Sequence, residues 1–159
     1  MPVSGTRRVY GGVTGEERVA QRRRKLIDAG TNLFGSPASG SVRVKDVAAA
    51  AGLTERYFYE SFTDREDFVR AVYDEVCTTA MAALTTSQSP RDAVERFVTM
   101  MVDDPTRGRV LLIAPAQEPV LTRSGADWMP SFIELLQHKM FPGGDPARRA
   151  LEATSLIGA

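Results

Sequence analysis

Apolar residues recur along this 159-residue chain at the spacing of a helix face, and no stretch shows the strict alternation of a strand. Leu26, Leu33 and Phe34 share such a face on a helix that begins near Glu16, and Gly35 is suited to end it. The pattern continues in the same way toward the end of the chain. We therefore predict an all-α fold.

Two helices separated by a tight turn follow the first one. The segment Val44–Ala51 is rich in alanine and predicts a short helix, which Gly52 stops. Thr54 is suited to cap the next helix, and a cap at Thr63 or Asp64 opens a longer one.

The second half of the chain repeats one helix-start signal, a capping residue followed by proline. The signal occurs at residues 89–90, 104–105 and 145–146. The segment from Pro119 to Met140 is also helical in pattern but contains Pro130, which cannot donate a backbone hydrogen bond. We expect a kink or break near Trp128.

The stretch GLTERYFYESF, from Gly52 to Phe62, places four aromatic rings within its last six residues. On a helical wheel Phe58 and Phe62 share one face, and Tyr57 and Tyr59 lie on its two flanks. We predict that the phenylalanines are core residues and that the tyrosine hydroxyls point outward. A helix, a tight turn and a second helix indicate a helix-turn-helix, although a plain helical hairpin would give the same pattern.

Charge is distributed unevenly, although the chain as a whole has a formal net charge of +0. Residues 1–62 contain ten Lys and Arg against six Asp and Glu, which gives +4 and leaves −4 for the remainder. A basic end of this kind favours contact with a polyanion, and a solvated helix face is the alternative. Four adjacent cations, at least one of which can lean toward DNA, are Arg22, Arg23, Arg24 and Lys25.

Residues 19–76 resemble the DNA-binding domain of the TetR family of transcriptional regulators. The resemblance runs through LIDAGTNLFG, VKDVAAAAGLTERYFYESF and TDREDFVRAVYDEV, in that order and at the family's spacings. Over residues 80–159 it is weaker and extends only to the order and length of the helices. The resemblance implies an N-terminal three-helix helix-turn-helix domain and a C-terminal helical domain for ligand binding and dimerisation.

The resemblance also implies DNA contacts at matching positions. Lys45 stands near the start of the second helix, and Tyr59 matches the family's phosphate-bonding tyrosine. Arg65 matches a basic residue at the start of the fourth helix, where the backbone approaches a phosphate. The groove-facing positions of the recognition helix are occupied by Thr54, Arg56 and Tyr57.

Three positions depart from the family's pattern. Arg43 stands where the family usually has a capping threonine, so this helix start loses a cap and gains a cation. Glu60 and Ser61 replace bulkier residues. We include Arg43 and Ser61 among the predicted DNA contacts, and we expect Glu60 to pair with Arg56, four residues before it.

The second half of the chain contains methionine and aromatic residues in two stretches. Such soft side chains suit an adaptable apolar cavity, although the same residues can close an ordinary core. We expect a cavity for a hydrophobic small molecule, bounded by Phe97, Met101, Trp128 and Phe132.

Neither a catalytic site nor a metal or cofactor site is expected. His138 is the only histidine and Cys77 the only cysteine, so a zinc site or a Cys-His pair has too few ligands. No apolar run approaches the roughly 20 residues that a membrane span requires. A lone cysteine also fits the reducing cytoplasm.

These observations predict a flexible basic arm at 1–15, a helix-turn-helix domain at 16–62 and a helical regulatory and dimerisation domain at 63–159, connected by a helix at 63–85. The expected function is that of a homodimeric repressor, released from a palindromic operator by a hydrophobic small molecule. The alternative is a TetR-like DNA-binding protein controlled by a protein partner. Because the apolar pattern runs uncapped to SLIGA, we expect the native protein to continue into further dimerisation helices.

Overall fold

The computed structural model describes residues 14–37 and 41–140, and the regular structure of this part of the chain is entirely helical. The predicted all-α fold is therefore confirmed there, whereas residues 1–13 of the predicted arm and the third helix-start signal lie outside the described residues. The helices are α1 (Gly15–Phe34), α2 (Val44–Ala50), α3 (Glu55–Ser61), α4 (Arg65–Thr85), α5 (Pro90–Asp103), α6 (Pro105–Leu112), α7 (Ala114–Gln117) and α8 (Val120–Met140).

Short polar side chains begin most of these helices. Asp64, Ser89 and Asp104 each accept a hydrogen bond from the backbone N–H three residues later, at 2.8, 3.1 and 3.0 Å respectively. The expected cap at Thr54 is wrong: Thr54 holds the N-cap position of α3, but its side chain makes no capping hydrogen bond. The start of α3 is exposed, so solvent can satisfy the first N–H groups instead.

The expected break in the last described helix is also wrong. α8 runs from Val120 to Met140 without interruption, with Pro130 in its interior. Proline removes one hydrogen bond, to the carbonyl of Ala126, while the neighbouring turns keep theirs. Because Ala126 and Pro130 are both exposed, solvent can satisfy the released carbonyl.

Four phenylalanines join α1, α3 and α4 in one aromatic cluster. Phe58 is fully buried, and its ring centroid lies 5.1 Å from that of Phe68 and 5.4 Å from that of Phe62. Phe34 lies 6.3 Å from Phe68. The first three helices and the later ones therefore share a core, which continues through Val110, Ala114 and Leu121.

The two halves of the chain also meet where α1 ends against the start of α6. A Cβ atom added to Gly35 would lie 2.5 Å from Cγ2 of Thr106, which is closer than any side chain tolerates. Glycine at this position therefore permits the close approach of α1 and α6.

Candidate nucleic-acid interface and ligand cavity

The turn between α2 and α3 determines how the second helix of the motif leaves the first. Gly52 has a φ of +65°, a conformation in which a Cβ atom is strained. The N–H of Leu53 donates to the carbonyl of Ala48 at 2.9 Å, and the N–H of Gly52 donates to the carbonyl of Ala49 at 3.0 Å. This pair of bonds is a Schellman motif, which closes the end of α2 and lets α3 begin three residues after Gly52.

The aromatic rings of α3 are oriented as the helical wheel predicts. Phe58 and Phe62 are buried, at 0% and 3% exposure, whereas Tyr59 is 58% exposed. Tyr57 is half-buried at the edge of the core. The Tyr59 ring packs edge-on against Phe58 at 5.3 Å, so the core fixes the base of its ring and leaves the outer side free.

Two arginines of α1 brace the recognition helix. The guanidinium of Arg22 lies 4.4 Å from the ring centroid of Tyr57, and that of Arg23 lies 4.5 Å from the ring centroid of Phe62. Arg22 also approaches Glu60 at 3.7 Å. These two members of the four-cation run therefore pack against α3, a role that the sequence analysis did not assign.

The outer face of α3 carries an ion pair. Arg56 Nε lies 3.0 Å from Glu60 Oε1, which confirms the predicted pairing, and the Arg56 side chain remains 83% exposed. A pair this exposed stabilises the fold little. Arg56 therefore remains accessible to a competing anion.

A second exposed ion pair lies at the start of α2. Arg43 Nε donates to Asp46 Oδ2 at 2.9 Å, and the Asp46 carboxylate also accepts from the Arg43 backbone N–H at 3.3 Å. The hydrogen bond from the Arg43 side chain lowers the pKa of the Asp46 carboxyl. Arg43 has no threonine hydroxyl to cap the helix, but its side chain holds the Asp46 carboxylate at the start of α2. The neighbouring Lys45 is exposed.

Arg65 makes the most extensive polar contacts of the predicted DNA-binding residues, and they reach both halves of the chain. Its Nη1 and Nη2 donate to the two carboxylate oxygens of Glu118 at 3.0 and 2.6 Å, and its Nε donates to the carbonyl of Val42 at 2.8 Å. The hydrogen bond with Glu118 raises the pKa of the guanidinium, which stays charged. The side chain of Arg65 therefore ties the start of α4 both to the segment before α2 and to the end of α7.

The remaining predicted contacts lie close to these residues. Thr54 is exposed at the N-cap of α3. Ser61 is half-buried, and its hydroxyl donates to the carbonyl of Tyr57 at 3.0 Å. The fold thus gathers the predicted residues at the start of α2, along α3 and at the start of α4.

Residues of α4, α5, α6 and α8 line a cavity of about 350 Å³. Phe97, Trp128 and Phe132 are part of the lining, and the last two rings have centroids 6.2 Å apart. Met101 is not among the lining residues, and its sulfur instead lies 2.9 Å from where a Cβ on Gly108 would be. Since α8 is unbroken, the cavity arises between helices and not from a gap within one.

The polar groups at the cavity wall already have partners. Trp128 Nε1 donates to Asp74 of α4 at 2.7 Å. Lys139 is the one ionised side chain that residues 14–37 and 41–140 contribute to the lining, and its ammonium donates to the carbonyls of Thr85, at 3.0 Å, and Ser87. Lys139 therefore caps the end of α4, and the rest of the lining is mainly aliphatic and aromatic.

Two neighbouring titratable groups of α4, Tyr73 and Cys77, are buried. Burial raises the pKa of the Cys77 thiol to about 12 and raises the pKa of the adjacent Tyr73 hydroxyl, so both stay protonated at neutral pH. Within residues 14–37 and 41–140, no three His, Cys, Asp or Glu side chains are grouped to hold a metal ion. None of the helices in these ranges has the length and apolar character needed to cross a membrane.

The fold and the site define an all-helical DNA-binding protein of the helix-turn-helix class. Residues 26–72 match the family model for bacterial regulatory proteins of the tetR family. The resemblance seen in the sequence is thereby confirmed for this segment, which is similar to the DNA-binding domain of tetR-family regulators.

Solved structures show the same fold over most of the chain. A TetR-like transcriptional regulator from Rhodococcus sp. RHA1 has a TM-score of 0.64 and 19% identity, covering 86% of this chain and 78% of that one. A protein from Rhodococcus sp., provisionally assigned to the TetR family, has a TM-score of 0.60 and 20% identity, covering 87% and 82%. No curated protein sequence matches the chain significantly.

Proposed function

We propose that this chain acts in the cytoplasm as a homodimeric repressor, bound to a palindromic operator and released by a hydrophobic small molecule. The observation that carries the proposal is the apolar cavity of about 350 Å³, partly lined by α4. α4 begins four residues after α3 ends, so a change at the cavity has a short path to the recognition helix.

The proposed operator contacts follow from which side chains α2 and α3 expose. The outer face of α3 enters the major groove, where Arg56 and Tyr57 meet base edges, while Tyr59 bonds a phosphate. A dimer of such modules reads two half-sites related by symmetry, which is why the operator is a palindrome. The further contacts, most of them to phosphates, come from Arg43, Lys45, Thr54, Ser61 and the backbone at Arg65.

Binding DNA requires the exposed cations to exchange their partners. Arg43 is paired with Asp46, and Arg56 with Glu60, at 2.9 and 3.0 Å. Because exposed ion pairs are weak, a phosphate can replace either carboxylate at small cost. The carboxylates then disfavour anions that approach in the wrong register, so they contribute to specificity.

The proposed effector is neutral and apolar. Among the described residues at the wall, Lys139 is the only ionised group, and its ammonium already donates to two backbone carbonyls. A charged effector would lose its hydration in this cavity without gaining a free counter-ion. The size of the cavity, about 350 Å³, lies at the lower end of the range for small-molecule sites, about 300–1,000 Å³.

Selection of bound sites from random DNA tests the operator. We expect a palindromic consensus, and an asymmetric one would contradict the dimer. With that site in hand, Tyr57→Ala should change which bases are preferred, whereas Tyr59→Phe should weaken binding to all sequences alike. If both variants changed only the overall affinity, Tyr57 would not be a base contact.

A neutral fluorescent probe, N-phenyl-1-naphthylamine, tests the cavity. Trp128 is the only tryptophan and lines the cavity, so bound probe should quench its emission and weaken binding to the selected operator. Ala93→Leu fills part of the cavity, because Ala93 is a buried lining residue, and should weaken probe binding at least tenfold. Ala82→Leu, at an exposed position of α4, is the matched control.

The outcomes separate the two regulatory alternatives. Probe binding that releases the operator supports a small-molecule effector. Probe binding that leaves operator affinity unchanged favours control by a protein partner. If Ala93→Leu and Ala82→Leu bind the probe equally well, the probe occupies another site.

A further inference from the structure

One guanidinium connects three segments that are distant in the sequence. Arg65, the first residue of α4, holds the carboxylate of Glu118 through two nitrogens and the carbonyl of Val42 through the third. Val42 immediately precedes Arg43, the N-cap residue of α2. Glu118 belongs to the other half of the chain, 53 residues after Arg65.

The geometry of this contact differs from that of the other ion pairs in the described part of the chain. The other helix pairs bridge residues three or four apart, whereas Arg22–Glu60 reaches across at 3.7 Å through a single pair of atoms. Arg65–Glu118 is bidentate and largely shielded, with side-chain exposures of 32% and 15%. A two-bond fork fixes orientation as well as distance, because both partners are planar.

We propose that Glu118 is a positioning residue for DNA binding: through Arg65 it holds the start of α2 in the register that the operator requires, and an occupied cavity acts on that register through this contact. The second half of the inference rests on the proposed function. The first half concerns the protein without an effector and is tested separately.

The path from the cavity to Glu118 is short. Glu118 is the C-cap of α7 and lies two residues before α8. α8 contributes Trp128, Phe132 and further residues to the cavity wall, and Trp128 is hydrogen-bonded to Asp74 of α4. A molecule that enters the cavity contacts both α4, which begins with Arg65, and α8, which begins two residues after Glu118. A shift of α8 along or away from α4 therefore alters the fork at Arg65.

The consequence reaches the DNA-contact residues directly. When the two hydrogen bonds to Glu118 break, the guanidinium loses the fixed orientation in which its Nε also donates to the carbonyl of Val42. Arg43 and Lys45 follow Val42 at the start of α2, so their positions relative to α3 become less defined. The rest of the helix-turn-helix domain is held by the cluster of four phenylalanines and is not expected to unfold.

The test is Glu118→Gln, with operator affinity measured in the absence of any probe. Electrostatics alone predicts tighter binding, since the substitution removes a negative charge from a protein that binds a polyanion. The positioning role predicts the opposite, a loss of at least fivefold. Glu95→Gln is the matched control, because Glu95 is exposed and its ion pair, with Arg91 at 2.8 Å, lies within α5.

A second variant keeps the proposal testable if Glu118→Gln folds poorly. Arg65→Lys keeps the charge, but one ammonium cannot reproduce the planar fork to Glu118 together with the bond to Val42. It should weaken operator binding by a similar factor. Circular dichroism and thermal unfolding of each variant define a temperature at which all are folded, so that lost stability is not mistaken for lost positioning.

The same variants test the coupling. N-phenyl-1-naphthylamine should bind Glu118→Gln as it binds the unsubstituted protein, but the factor by which it weakens operator binding should fall toward one. Operator affinity and coupling both equal to those of the unsubstituted protein would overturn the inference. If the probe leaves operator binding of the unsubstituted protein unchanged, the proposed effector fails, while a fivefold loss in Glu118→Gln still supports the positioning role.

Discussion

Gly30 lies in the interior of α1 at its contact with α4, where the backbone approaches two buried side chains. A Cβ atom added there would lie 2.8 Å from Cγ2 of Val72 and 3.1 Å from Cε1 of Phe68, and closer still to Cζ of that ring. Phe68 cannot retreat easily, because its centroid is already 5.0 Å from Phe62 and 5.1 Å from Phe58. We expect Gly30→Ala to push α1 and α4 apart.

Two opposing effects set the size of the change. Replacing glycine by alanine inside a helix ordinarily stabilises by about 1 kcal/mol. Forcing an extra methyl into a packed core costs about 1–3 kcal/mol. The net expectation is a destabilisation of up to about 2 kcal/mol, which for a chain of this size lowers the melting temperature by about 2–4 °C per kcal/mol.

Gly125→Ala is the matched control, since Gly125 lies inside α8 and an added Cβ would meet Tyr73 Oη at an ordinary 3.6 Å. Gly125→Ala should be stabilised by the higher helix propensity of alanine, without the cost of forcing a methyl group into a packed core. Urea unfolding of both variants, at an unchanged m-value, measures the difference, which we expect to be about 1–3 kcal/mol. If Gly30→Ala were as stable as Gly125→Ala, the close packing of α1 on α4 would be wrong.

Three further results are expected. Phe58→Ala should cost about 3–5 kcal/mol in urea unfolding because the ring is fully buried, while Tyr59→Ala should cost much less, and similar losses would contradict the assigned orientation of α3. Burial raises the pKa of the Cys77 thiol to about 12 from an ordinary value of 9.0, so the thiol should resist alkylation at pH 8 until the chain unfolds, and fast labelling of the native protein would refute this. Because the thiol of the unfolded chain ionises first, the free energy of unfolding should fall between about pH 9 and pH 12. Operator affinity should fall steeply with salt, with a logarithmic slope of about −0.9 per neutralised phosphate, and a flat response would remove phosphate as the target of the basic end.

Much of the fold follows from short-range patterns in the sequence. The helix starts at Asp64, Ser89 and Asp104 could be predicted because a cap and its N–H group lie three residues apart. The division of the α3 rings into core and surface follows from one helical period, and so does the Arg56–Glu60 pair. These features depend on neighbours within about four residues, which the sequence displays directly.

One sequence rule failed because it considers only the backbone donor. Pro130 removes a hydrogen bond, but Ala126, whose carbonyl loses its partner, is an exposed residue, and α8 continues through it. The cavity was predicted from two stretches of methionine and aromatic residues, and it arises between whole helices. Phe97, Trp128 and Phe132 are brought together there, whereas Met101 lies against Gly108, because the rotation of α5 about its axis is set by packing and not by residue type.

By itself, the sequence determined the helical class, the helix-turn-helix and the family resemblance, because each rests on residue types at short and regular spacing. Arg22 and Arg23 lie four and three residues before the buried Leu26, a local signal that would have placed them on the packed side of α1. The Arg65–Glu118 and Asp74–Trp128 contacts have no such signal. They join residues 53 and 54 positions apart, and only the packing of α4 against α7 and α8 decides which of many charged and polar side chains meet.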